Sequence, residues 1–279
     1  MAATRESLYE RGMVRAPMFL LVVLVACSPS TTDNQSNPDA HVTVDSKGGG
    51  GSDAFVFMDA PAGPFGCLGQ PVPTTAPDPV ALSGTATTLS GTTSVPAPGV
   101  KVQALHISDN SAITASVTTD SSGAYSLSLP TGGNALDVYL RASKSGDRDT
   151  TVFPATNLFA DSTGGEVVII TQSDFDFLAQ LSNKSQSSSK GAVGVIVTDC
   201  DGTVLQGAVI TTQPSVPVVY VNNGTPDTSA TSTDATGVGL VFNVPAGSVT
   251  LSATVNGMTL RSHTINAIAG VTTTAAIRP

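Results

Sequence analysis

Thr119-Asp120-Ser-Ser-Gly123-Ala-Tyr125-Ser-Leu127-Ser-Leu129-Pro130-Thr-Gly132 decides the fold. Asp followed three residues later by Gly is turn chemistry: the carboxylate accepts local backbone N–H groups, and Gly takes the positive φ that closes the turn. Behind the turn, Tyr125, Leu127 and Leu129 recur at every second position, the period of a strand with one buried face. Pro130 then ends the strand, and Gly132 turns the chain.

The same grammar returns in Thr233-Asp234-Ala-Thr-Gly237-Val-Gly239-Leu240-Val-Phe242-Asn-Val244-Pro245-Ala-Gly247. Upstream, Pro98-Gly99-Val100-Lys-Val102 parallels Gln206-Gly207-Ala208-Val-Ile210. The chain therefore carries an internal repeat. Further alternating runs surround the two copies: Ile113–Val117, Leu136–Leu140, Val193–Val197, Leu240–Val244 and Val249–Val255. Short strands separated by turn signals from Val80 onward predict β-sandwiches. One segment departs from this pattern. Ser173-Asp-Phe-Asp-Phe-Leu-Ala-Gln-Leu181 predicts a short helix capped by Ser173, with Phe177, Leu178 and Leu181 on one face. The Ser-rich run 182–190 reads as a loop.

The motif resembles the carboxypeptidase regulatory-like family, whose domains are prealbumin-like (transthyretin-like) seven-stranded sandwiches. The first copy matches its Thr-Asp-x-x-Gly-x-Tyr pattern and Pro-x-Gly turn at Thr119, Asp120, Gly123, Tyr125, Pro130 and Gly132. The second departs from it at Gly239, which stands where the aromatic belongs, with Phe242 further on. The resemblance covers about 80–142 and 192–279. It implies an all-β chain with two tandem prealbumin-like or Ig-like sandwiches, over 65–165 and 192–279, joined by a connector with a short helix over 166–191. One fold hosts many functions, so the resemblance implies no ligand.

The N-terminus supplies an address. Arg15 precedes the apolar run Met18–Ala26, which is too short to span a bilayer and ends in small residues, as a secretory signal does. Its end, Leu24-Val25-Ala26-Cys27, resembles a bacterial lipobox. That resemblance implies a signal peptide over 1–26, diacylglycerol on Cys27, cleavage before it, and acylation of the new amino group. Several acyl chains give lasting anchorage where one does not. Ser28 in place of Asp points to the outer membrane. Residues 27–64, rich in Ser, Thr, Asp, Pro and Gly, read as a disordered tether. Within it the island Ala54–Met58 is apolar, and the sequence gives no account of it.

Charge and cysteines narrow the partners. The full chain has formal charge −9; losing the leader removes three Arg against two Glu and takes it to −10. An acidic chain makes a poor partner for nucleic acid. Trp is absent and only 5% of residues are aromatic, which favours small β-domains over a large α/β enzyme. With Cys27 lipidated, Cys67 and Cys200 remain in an oxidising compartment. They read as one disulfide, against two free thiols.

Catalytic chemistry is poorly represented. His41 falls in the tether, and His106 and His263 on strand-like segments, read as exposed. No Gly-x-Ser-x-Gly elbow accompanies them, so a Ser-His-Asp triad is disfavoured. Intradiol dioxygenases share the prealbumin-like fold and hold iron with two Tyr and two His, including a His-x-His pair. Tyr125, Tyr139 and Tyr220 are present, but the His-x-His is not. Asp199-Cys-Asp201-Gly202 and Asp174-Phe-Asp176 lack the ligand count of a calcium loop; they read as a turn and as first-turn helix acids. Asn223-Gly-Thr225 matches a glycosylation sequon, but Asn222-Asn-Gly224 reads more simply as a hairpin turn. No cofactor is implied, no metal site and no catalytic residue. The expectation is a membrane-anchored, non-enzymatic surface lipoprotein that serves as a structural module or binds a protein or glycan ligand. The alternative is an accessory or carrier subunit of an exported hydrolase. Ser143–Asp149 and Thr212–Thr228 are the candidate binding loops.

Overall fold

The turn chemistry of the two motifs brings equivalent strands together in each repeat. The computed structural model describes residues 28–29, 63–90 and 93–279. The leader, Cys27, His41 and the island 54–58 lie outside them. In the first repeat β2 (Val80–Ser90) pairs antiparallel with β6 (Ala124–Leu129), the motif strand, and with β3 (Thr93–Pro96). It pairs parallel with β10 (Ser162–Thr171). In the second, β11 (Gly191–Val197) pairs antiparallel with its motif strand β15 (Val238–Val244) and parallel with β19 (Thr272–Ile277). A two-residue strand β1 (Ser28–Pro29) pairs with the start of β10, and β8 (Asp147–Arg148) with its end.

The opposing sheets differ in fate. In the first repeat, β5 (Val117–Thr118), β4 (Lys101–His106), β7 (Val138–Ser143) and β9 (Thr150–Phe153) line up in that order. β9 then pairs parallel with β19, Thr150 opposite Thr272 through Phe153 opposite Ala275. With β13 (Val218–Asn222) and β14 (Thr225–Asp227) added beyond β15, one nine-stranded sheet runs through both repeats. The second repeat's other sheet is separate: β16 (Gly247–Val255) pairs with β12 (Val209–Gln213), β17 (Met258–Thr259) and β18 (His263–Ala267).

Alternation along the shared sheet sends neighbouring residues to opposite cores. Leu140, Val152 and Ala276 face one side; Tyr139, Phe153 and Ala275 face the other. The first core is covered by β2, β6 and β10, and over the second repeat by α1 (Gln172–Leu181). The second core lies under β12, β16 and β18. Central β11 is covered on both faces, which explains its near-continuous burial and its apolar run Ala-Val-Gly-Val-Ile-Val. At the seam, buried Thr151 and Thr273 share a hydroxyl–hydroxyl hydrogen bond of 2.9 Å.

The structure corrects several expectations. The run Ile113–Val117 forms a strand only at Val117–Thr118. Thr171, not Ser173, caps α1: its hydroxyl accepts the Asp174 N–H. The helix buries Phe175 and Ala179, and leaves Phe177 43% and Leu181 39% exposed, so the apolar face expected at 177, 178 and 181 is turned about halfway to solvent. Thr212–Thr228 is largely strand, holding β13 and β14 with the hairpin Asn223-Gly224 between them, both at positive φ. Ser143–Asp149 turns immediately into β8. Among the described residues no helix is long and apolar enough to cross a membrane.

Candidate functional site: a cleft under a disulfide-pinned strap

Gly63–Gly69 makes two consecutive turns, closed by Gly66 N–H to Gly63 O and Leu68 N–H to Phe65 O. Phe65 packs against the second core and anchors this end. Cys67 is bonded to Cys200, 133 residues away, in the turn after β11. Cys200 N–H donates to Pro64 O, and the Asp199 carboxylate holds the turn by accepting the N–H groups of Asp201 and Thr203. The Asp-Cys-Asp-Gly segment is thus a self-capped turn. The chain then crosses to the first repeat, where Ala135 N–H donates to Thr74 O and Ala76 N–H to Gly133 O. Residues 67–76 form a strap fixed covalently to one repeat and by backbone bonds to the other.

Under the strap lies a cleft of about 370 Å³, half polar in character, with Asp137, Thr156, Asn157, Arg261, His263 and Thr264 in its walls. Polar groups converging in a concavity at a junction are the usual form of a ligand site. Arg261 Nη2 donates to Gln70 O at 2.7 Å, while its Nε is buried with no partner. Arg278 Nη2 reaches Thr156 Oγ1 at 3.3 Å. Burial, and then the charge of Arg261, pull the Arg278 pKa down. The one ion pair among the described residues is Arg141–Asp149, so neither of these guanidiniums has a carboxylate within 4 Å. Two arginines with no carboxylate within 4 Å among the described residues stand out in a chain of charge −9.

His263 is half-buried rather than exposed. Its ring stands edge-on to Phe153 at 6.4 Å, and Nδ1 lies 2.9 Å from Ala276 O. A carbonyl only accepts, so Nδ1 carries the proton. Burial lowers its pKa; the Ala276 carbonyl and the charge of Asp137 oppose that shift. His106 sits in β4 opposite Val138. The tyrosines are structural: Tyr125 O–H donates to Gly165 O, Tyr139 stacks on Phe153 at 4.9 Å and donates to Asn110, and Tyr220 O–H accepts the Ile210 N–H. Of the two expected first-turn acids, Asp174 lies in the first turn of α1 and accepts from Thr171, whereas Asp176 lies beyond it and accepts from Gln172. Among the described residues no group of three His, Cys, Asp or Glu is placed to hold a metal ion. Sequence reasoning missed the cleft because its residues are scattered over the chain.

No protein-family model matches the chain, and no curated protein matches it. Solved structures do. The shaft pilin SpaA of Lactobacillus rhamnosus GG is 12% identical over 72% of this chain and 98% of its own, with a TM-score of 0.24. GBS52, a minor pilin of Streptococcus agalactiae, is 15% identical over 71% and 94%, at 0.23. BcpA, the major pilin subunit of Bacillus cereus, is 8% identical over 72% and 99%, at 0.25. Superpositions this loose carry no argument about what this chain does.

Proposed function

We propose that the chain is an exported, non-enzymatic surface module, anchored by lipid on Cys27. The observation that carries this reading is the Cys67–Cys200 disulfide. Disulfides persist in oxidising compartments outside the cytosol. This one accounts for two of the three cysteines and leaves Cys27, at the end of an apolar run, as the third. The equivalent hydrogen bonds of Thr119 and Thr233 support reading both repeats as one kind of sandwich, related to the carboxypeptidase regulatory-like pattern. The module's task is to present a surface to a protein or glycan.

Mass spectrometry of the membrane fraction tests the anchor. The expected N-terminal peptide begins at Cys27 and carries acyl chains, and Cys27→Ser releases the protein into the soluble fraction. An intact leader, or a fractionation unchanged by Cys27→Ser, overturns the reading.

A further inference from the structure

We propose that the cleft under the strap binds an acidic sugar, with Arg261 gripping its carboxylate; the proposal rests on reading the chain as a surface binding module. Four observations on the cleft point the same way. The guanidinium of Arg261 is fixed by Gln70 O, has an unsatisfied Nε, and lacks any carboxylate within 4 Å among the described residues. A planar guanidinium held in place is preorganised for a planar carboxylate. Arg278 donates to Thr156 of the cleft wall and feels the charge of Arg261, so a second positive charge stands behind that wall. An anion relieves this repulsion.

The opposite chemistry is present too, and it selects among anions. Asp137 lines the same cleft, and its charge is felt at His263. A phosphate dianion would meet that carboxylate at a like-charge cost. A uronate carries a single charge, and its hydroxyls can donate to Asp137 while accepting from Asn157 and Thr156. The volume, about 370 Å³, is on the scale of ordinary small-ligand pockets. The strap sets the geometry: the disulfide and the Thr74 and Ala76 backbone bonds hold both ends, so the Gln70 carbonyl that orients Arg261 stays in place.

The test is calorimetric titration of the detergent-solubilised full chain with galacturonate, its carboxyl-reduced neutral counterpart galactose, and inorganic phosphate. Galacturonate is expected to bind. Galactose and phosphate are expected to bind at least tenfold more weakly. Arg261→Met should weaken galacturonate at least tenfold, and Asp137→Asn should narrow the preference for galacturonate over phosphate. Because Arg261 also orders the strap, Asn157→Ala serves as a variant that leaves the strap bonds alone, and it should weaken binding by about threefold or more. Absence of galacturonate binding, equal binding of galactose or phosphate, or affinity unmoved by both Arg261→Met and Asn157→Ala overturns the proposal. If binding is absent while Cys27 carries lipid, the cleft proposal fails and the anchored-module reading stands.

Discussion

Thr119 and Thr233 show at single-residue scale how the two motifs fix the fold. Each is buried, at 4% and 2% exposure, and each hydroxyl works twice. Thr119 Oγ1 accepts Val100 N–H and donates to Ala97 O; Thr233 Oγ1 accepts Ala208 N–H and donates to Leu205 O. Replacing either by Val keeps the shape and strands a buried amide and a carbonyl. Thr119→Val or Thr233→Val should cost about 1–3 kcal/mol in urea unfolding; a change under a few tenths would show that water replaces the hydroxyl. The motif glycines follow the same logic. Gly123 and Gly237 sit at φ +77° and +67°, with a carbonyl, Ala86 O or Val197 O, where a Cβ would go. The departure at Gly239 has a physical reason. In the first repeat the motif aromatic Tyr125 stands opposite Gly84; in the second the motif strand supplies Gly239, and Tyr220 on β13 stands opposite it. The aromatic thus comes from β13, on the far side of the motif strand from β11, where Val195 faces Gly239, and a Cβ at 239 would meet Ile210 Cδ1 at 2.7 Å. His263 adds a pH response. Its folded pKa lies below the ordinary value of 6.5, so the fold favours the neutral ring. The unfolded chain therefore takes up the proton first as pH falls, and stability present above pH 6.5 is lost as pH drops through the folded pKa. Thermal melts from pH 7.5 down to 5 should show this decline, and it should flatten in His263→Gln; an unchanged slope would place the acid sensitivity elsewhere.

The strands were legible element by element and the helix only in part. Tyr125–Leu129, Val193–Val197, Leu240–Val244 and Val249–Val255 all fall inside strands, because each has a turn before it and a face to bury. Ile113–Val117 meets β4 only at its two ends, where Ile113 N–H donates to Ala104 O and Val117 pairs with Val102. For α1 the sequence reading put Phe177, Leu178 and Leu181 on the buried face. The structure buries Phe175 and Ala179 instead, because Phe175 has somewhere to go: its ring lies 6.0 Å from Phe242 and under the Arg148 guanidinium, at 3.9 Å. Arg148 also donates to Gln172 and Thr272, tying β8, α1 and β19 together. Phe175→Ala should therefore cost about 3–5 kcal/mol, more than Phe177→Ala, when both are followed by denaturant unfolding. Equal losses would mean that the helix docks by its other face.

At the scale of the molecule, the repeat was legible and the shared sheet was not. β9 and β19 meet across some 120 residues through short runs, Thr-Thr-Val-Phe and Thr-Thr-Thr-Ala, that carry no mark of their partner. Parallel pairing leaves no hairpin turn in the sequence to announce it. The cleft was illegible for the same reason, since strap, β9 end and β18 come together only once that seam is formed. Because β19 belongs to both cores, calorimetry should show the two repeats melting in one transition; two well-separated transitions would mean that the seam is weak. Cys67→Ser should lower stability by up to about 5 kcal/mol, the chain-entropy limit for so long a loop. The place of β19 also imposes an order in time. It is synthesised after every other described strand, yet it lies in the middle of the sheet. Until it emerges, β9 and β11 both present bare hydrogen-bonding edges, open to pairing with another copy. Every chain must pass through that interval unfinished during synthesis. Ribosome-stalled or truncated chains ending before Thr272 are expected to self-associate and to resist no protease, while six more residues close the gap and bring protection all at once.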